Sequence, residues 1–208
     1  MAMEDRKNRS ARIGFAVLSL CALVALGLAA RSHWGGTSGL PDRWTEARPG
    51  WLYRSSQIPA SDVLGVLRKQ RIDVVLDLTD DDKDPHRSAE EAAARKLGVR
   101  YLHLPVQQPR ERVVQNLAAA VAEIERARRR GDRVLVHCTY GHRRSATALV
   151  LYARLIEHEP PHVAFAEFTR FTEPDSQWGP DAMSFVDKNY DEIAAQVQAD
   201  LAQPDPLD

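Results

Sequence analysis

The chain is poor in sulfur and carries no excess of either charge. Of its two cysteines, Cys21 lies inside an apolar run and Cys138 is the only thiol elsewhere, which excludes a disulfide-stapled scaffold. Lys and Arg number 28 against 29 Asp and Glu, so there is no molecule-wide basic field and nucleic acid is excluded as a partner class. Internal repeats are absent. His86, His103, His158 and His162 fall into no spacing that suits a metal, and neither a metal nor an organic cofactor is expected.

Long hydrophobic runs are limited to one. Ile13 to Ala30 is uncharged over 18 residues and follows Arg6, Lys7, Arg9 and Arg12 in a basic segment, 1–12. That length just spans a bilayer, so 13–30 reads as a transmembrane anchor, with Trp34 at the interface. The alternative is a cleaved secretory signal, since Gly27-Leu28-Ala29 and Leu28-Ala29-Ala30 offer small residues near a cleavage point. Four basic residues precede the run, whereas Arg31, Arg43 and Arg48 follow it. The balance favours a cytoplasmic N-terminus with residues 31–208 outside the cytoplasm, membrane-anchored or, after cleavage, secreted.

Beyond the run, residues 31–50 hold Gly35, Gly36, Gly39, Pro41, Pro49 and Gly50 and read as a linker. A domain over 51–195 follows, then a flexible tail over 196–208. Within the domain the pattern alternates. Strands are expected at 51–53, 73–78, 99–106 and 133–138. Helices are expected after Ser61 as a cap, from a Ser88/Glu91 capping box to a stop at Gly98, over 112–130, and near 144–157 and 162–171. Arg126, Arg128, Arg129 and Arg130 should be solvated at the end of the third helix. The expected fold is α/β, a central mostly parallel sheet flanked by helices, preceded by the N-terminal anchor or signal helix.

The most informative stretch is His137-Cys138-Thr139-Tyr140-Gly141-His142-Arg143-Arg144-Ser145. An apolar, β-branched strand ends at Cys138, a tight loop follows, and Arg144 opens an apolar helix. Loop N–H groups and a helix N-terminus make an anion cradle. A cysteine at its base has a depressed pKa and is a thiolate near neutral pH. Arg144 offers a fork that grips two phosphate oxygens, and Ser145 can donate to the sulfur. Together they describe phosphoryl transfer to sulfur followed by hydrolysis.

This stretch resembles the His-Cys-x5-Arg-Ser/Thr signature of the cysteine-dependent protein tyrosine phosphatase superfamily. The likeness covers roughly residues 50–190 and is closest to the compact dual-specificity branch, where a Tyr-Arg-Ser stretch begins the domain, here Tyr53-Arg54-Ser55-Ser56-Gln57. It implies a phosphomonoesterase with Cys138, Arg144 and Ser145 catalytic. Thr139, Tyr140, Gly141, His142 and Arg143 would bind substrate, and His137 would shape the loop and tune the thiolate from behind. His142 and Arg143 would add positive charge at the rim. Substrates would be phosphorylated proteins, lipids or inositol phosphates. The rival class is a phosphate-binding module with weak or no catalysis. A sulfurtransferase also uses a cysteine-based anion loop, but the Arg144-Ser145 ending argues against it. A zinc site at His137, Cys138 and His142 would need side chains that such a loop aims apart.

One expected part is missing. Relatives carry an acidic aspartate in the loop about 30 residues before the cysteine, where this chain reads Gln107-Gln108-Pro109-Arg110-Glu111. Glutamine donates no useful proton at neutral pH. Glu111 is the first substitute, and the Asp80-Asp81-Asp82-Lys83-Asp84 run the second.

Overall fold

The computed structural model describes residues 39–79, 85–107, 109–169 and 178–205. The expected anchor over 13–30, the Asp80–Asp84 run and Gln108 lie outside the described residues. Among the described residues no helix is long and apolar enough to cross a membrane.

Five strands make one sheet. They are β1 (Thr45–Arg48), β2 (Leu52–Ser56), β3 (Val74–Asp77), β4 (Arg100–His103) and β5 (Val134–Cys138), in the order β1-β2-β5-β3-β4. Strands β2, β5, β3 and β4 run parallel, and β1 pairs antiparallel at one edge. The sheet is therefore mixed, with a parallel majority. Strands β3 and β5, VVLD and VLVHC, are buried at every residue. Continuous β-branched runs of this kind belong in the middle of a covered parallel sheet.

Among the described residues six helices accompany it: α1 (Val63–Gln70), α2 (Pro85–Leu97), α3 (Arg110–Arg130), α4 (Arg144–Leu155), α5 (Pro161–Thr169) and α6 (Trp178–Ala202). Strand alternation divides the core in two. Val134, Val136 and Cys138 pack with residues of α3, α4 and α6, while Leu135 packs with Val63, Val66 and Leu67 of α1 and Ala93 of α2. Successive side chains of a strand point to opposite faces. Cys138 therefore faces α4, and its neighbour His137 faces α2.

Several local expectations change. Ser61 is not a cap: the N-cap of α1 is Asp62, without a side-chain cap bond. Helix α2 starts at Pro85, so Ser88 sits within its first turn, since proline is pre-organised for the opening position. It ends before Gly98, at φ 70, a left-handed turn that suits glycine. The linker is not all linker, because Thr45–Arg48 pairs onto the sheet. Residues past 195 are helical to Ala202 and tied down, with Arg126 donating to the Asp200 carbonyl and Arg130 to Asp205. Arg126 and Arg130 are accordingly half-buried, and both pair with the buried Glu123. Only Arg128 and Arg129 are solvated, each bonded to Glu125.

Candidate active site

Cys138 ends the central strand β5, in register with Ser56 at the carboxyl end of β2, the edge beyond which sheets of this kind bind ligands. Its side chain is 3 % exposed. Residues 139–143 turn the chain into α4, whose N-cap residue Arg143 makes no side-chain cap bond. The first amides of α4 are thus left for an anion, at the positive end of the helix dipole. Ser145 is fully buried and its Oγ lies 3.5 Å from the Cys138 sulfur. Burial by itself would raise the Cys138 pKa. The Ser145 hydroxyl, the backbone N–H groups of Ser145 and Gly141, and the charge of His137 outweigh it and hold the thiol below its ordinary range. A hollow of about 260 Å3 opens here, lined by Cys138, Thr139, Tyr140, Arg143 and Arg144.

The loop is braced from β2 and from the segment before β1. Gly141 is buried against β2 at φ 67, and a Cβ there would lie 2.4 Å from the Ser56 amide nitrogen. The Gln57 N–H donates to the Thr139 carbonyl at 3.4 Å. Arg43, itself at φ 55, donates to the Tyr140 carbonyl at 2.8 Å and to His142 Nδ1 at 2.9 Å. His142 Nδ1 also lies 3.2 Å from the Tyr140 carbonyl, so Arg43, Tyr140 and His142 meet at one corner of the loop. Arg43 also lines a neighbouring cleft of about 510 Å3 with Asp42, Ser56, Gln57, Pro59, His86, Thr139 and Tyr140.

Behind the loop, His137 is fully buried with Glu90 Oε2 at 3.1 Å and Asp77 Oδ1 at 3.9 Å from its Nε2. Burial alone would pull its pKa down. The charges of Glu90, Asp77 and Cys138 outweigh it and push it up to about 9. Asp77 is also buried, yet His137, the Tyr101 hydroxyl and Thr79 keep its carboxyl below the usual range. These three side chains are the one group among the described residues that places three donor atoms within 4.8 Å of one another. The carboxylates push the imidazole toward its protonated form, whereas a metal needs it neutral.

The structure thus brings Cys138, Thr139, Tyr140, Arg143 and Arg144 around one hollow, with Ser145 buried beside the sulfur, Gly141 against β2, His137 behind the loop, and Tyr140 standing out at 65 % exposure. Glu111 does not line that hollow; it stands in the first turn of α3, its side chain 68 % exposed and 3.9 Å from Arg110. Gln107 is exposed at the end of the preceding loop. Three participants have no sequence signal. Arg43 sits in a stretch that reads as linker, and Asp77 and Glu90 read as ordinary strand and helix positions. A fourth, Asp181 of α6, lines an apolar hollow of about 230 Å3 with Arg144, Thr147, Val106, Val113, Leu117, Ala182 and Phe185.

Comparison with known proteins agrees with this geometry. The family model "Dual specificity phosphatase, catalytic domain" matches residues 52–159, just over half of the chain. No curated protein matches by sequence. Among solved structures, PTPMT1 is 16% identical with a TM-score of 0.58 over 75% of this chain and 99% of its own. TpbA of P. aeruginosa is 22% identical with a TM-score of 0.54 over 72% and 87%. The catalytic core of SIW14 from S. cerevisiae, a PP-IP phosphatase, is 16% identical with a TM-score of 0.58 over 76% and 93%. At such identities the likeness is one of fold, while the family rests on the match over residues 52–159. The chain belongs to the dual specificity phosphatases, cysteine-dependent enzymes of the protein tyrosine phosphatase superfamily.

Proposed function

We propose that the chain hydrolyses phosphomonoesters through a phosphocysteine at Cys138. The observation that carries this is the buried Cys138 sulfur at the end of β5, beneath the uncapped amides of α4 and 3.5 Å from Ser145 Oγ. The Cys138 sulfur attacks phosphorus while the ester P–O bond breaks, and the departing oxygen takes a proton. Water then attacks the phosphocysteine, and sulfur leaves as thiolate, stabilised by a hydrogen bond donated by Ser145 Oγ. Arg144 and the loop amides spread over the equatorial oxygens, where charge is concentrated in the transition state. Rapid quenching during turnover of an aryl phosphate should yield a phosphoryl adduct on the Cys138 peptide. Steady product release with no such adduct would refute the mechanism. A single burst followed by no turnover would favour the binding-module reading.

The substrate class is open among phosphoproteins, phospholipid head groups and inositol phosphates. Among solved structures of this fold, a cysteine-to-serine TpbA variant is in complex with pTyr, PTPMT1 is in complex with PI(5)P, and SIW14 is a PP-IP phosphatase. A phosphate-release panel across the three classes ranks them for this chain.

For the leaving-group proton we propose Glu111, the carboxylate nearest in sequence to the position where relatives carry the acid. Glu111→Gln should slow an alkyl phosphate by about 10²-fold and leave a nitrophenyl phosphate nearly unchanged, since that phenoxide departs without a proton. Asp181→Asn and single variants of Asp80, Asp81, Asp82 and Asp84, assayed in parallel, discriminate the alternatives. Equal small effects at all of them would mean that no side-chain acid operates.

A further inference from the structure

On the face of the sheet opposite the sulfur lie two buried carboxylates that the reaction above does not touch. Asp77 and Glu90 are 0 % and 1 % exposed and converge on His137, which is 0 % exposed. The two acids are not equivalent. Asp77 is anchored by neutral donors: the Thr79 N–H to Oδ1 at 2.8 Å and the Tyr101 hydroxyl to Oδ2 at 2.7 Å. Among the described residues neither oxygen of Glu90 has a hydrogen-bond partner. Its 3.1 Å approach to His137 Nε2 is misaligned for a hydrogen bond and stands as a charge–charge contact.

An unpaired carboxylate this deep costs several kcal/mol, so Glu90 and a protonated His137 support one another. The other groups around the imidazole do not replace that pairing. Strand β2 presents Ser55, uncharged, opposite His137. From β3 comes Asp77, and from β4 come Tyr101, bonded to Asp77, and His103, bonded to the Thr79 carbonyl. From α2 come Arg87, which bonds His103, and Glu91, which pairs with Arg87 and Arg95. On β5 itself the neighbour is the Cys138 thiolate, and alternation of the strand sets it one residue from the cation.

We propose that Glu90 is a positioning residue for catalysis: it keeps the His137 imidazole protonated beneath Cys138, so that the thiolate persists into alkaline solution. The proposal rests on Cys138 as the nucleophile, but the charge state it predicts can be read without turnover. With Glu90 replaced by the near-isosteric glutamine, desolvation would act on His137 with less opposition. The imidazole would then lose its proton at lower pH, and the sulfur would lose the positive charge of His137.

The test follows three quantities in wild type, Glu90→Gln and Glu90→Asp: the NMR titration of the His137 imidazole, the pH dependence of Cys138 alkylation, and the pH profile of kcat/KM. In wild type, His137 should titrate near pH 9, and the alkaline limb of kcat/KM should fall there. In Glu90→Gln both should move down by about one unit or more, a tenfold change in the proton equilibrium, with Glu90→Asp between. Stability carries the same signature. A histidine raised from 6.5 to about 9 by folding contributes fully below pH 6.5 and loses that contribution as pH rises to 9. Wild type should therefore lose Tm across that window, and Glu90→Gln should lose less.

A wild-type His137 that titrates near 6.5 would overturn the proposal, and needs no variant to fold. So would a Glu90→Gln enzyme with lower Tm but an unmoved alkaline limb, which would make Glu90 merely structural. One equivalent of metal in the purified protein would also overturn it. If Cys138 were not the nucleophile, kcat/KM would survive its alkylation while the His137 titration still moved with Glu90, which separates the two failures.

Discussion

Replacing Cys138 by serine should lower turnover of an aryl phosphate by at least about 10⁴-fold while leaving the fold and phosphate binding in place. Serine is smaller than cysteine and fits a site where the side chain is 3 % exposed, so no clash perturbs β5. The change is chemical. The sulfur is held below its ordinary pKa by the Ser145 hydroxyl, the Ser145 and Gly141 amides and the His137 charge. The same donors acting on a hydroxyl start from an acidity far too weak to give an alkoxide near neutral pH. The loop amides and Arg144 remain, so binding of inorganic phosphate should persist. Steady-state assays beside calorimetric phosphate binding and a thermal melt check all three parts. Activity within tenfold of wild type would assign the nucleophile elsewhere.

Gly141→Ala should be nearly as damaging, by about 10²–10³-fold in kcat/KM, the usual cost of losing a positioned transition-state donor. The added methyl would meet backbone, at 2.4 Å from the Ser56 nitrogen and 2.5 and 2.6 Å from the Ser55 carbonyl carbon and oxygen. Such contacts yield cheaply only when the obstacle is a flexible side chain. Here Ser55 and Ser56 are registered against His137 and Cys138 in the parallel pairing of β2 with β5. The strand cannot step aside without breaking the pairing that seats the nucleophile. Residue 141 also sits at φ 67, which costs an alanine a further 1–2 kcal/mol or so. The loop must turn instead, withdrawing the Gly141 amide from the sulfur. Alkylation of Cys138 at neutral pH should slow in step with turnover as its pKa rises. Activity within threefold of wild type would show that the loop tolerates a side chain there.

Much of this protein was legible in its sequence because local periodicity and local chemistry carry the signal. Four strands and the helices around them followed from apolar spacing. Cys138, Arg144 and Ser145 stand within eight residues of one another, so their juxtaposition needs only a strand, a tight loop and a helix start. Gly141 was readable as a turn residue, though not as the point where the loop touches β2. Boundaries moved by a few residues where capping chemistry competed, as at Ser61 and Ser88. Helix α6 escaped because its value lies in docking on α3, through contacts such as Arg110 to Asn189 and Arg126 to the Asp200 carbonyl.

Sequence by itself determined the α/β class, the parallel majority of the sheet, and the strand, loop and helix start that bring Cys138, Arg144 and Ser145 together. Tertiary structure alone decided which distant groups serve that loop. Arg43 reaches the Tyr140 carbonyl from 97 positions away, and Glu90 meets His137 only because α2 covers the face to which β5 turns that residue. Pairings of this kind depend on strand order and helix placement. A carboxylate's spacing along one chain does not say whether it ends in water or against a buried imidazole, because the desolvation that gives Glu90 its charge partner exists only once the sheet and α2 have closed over it.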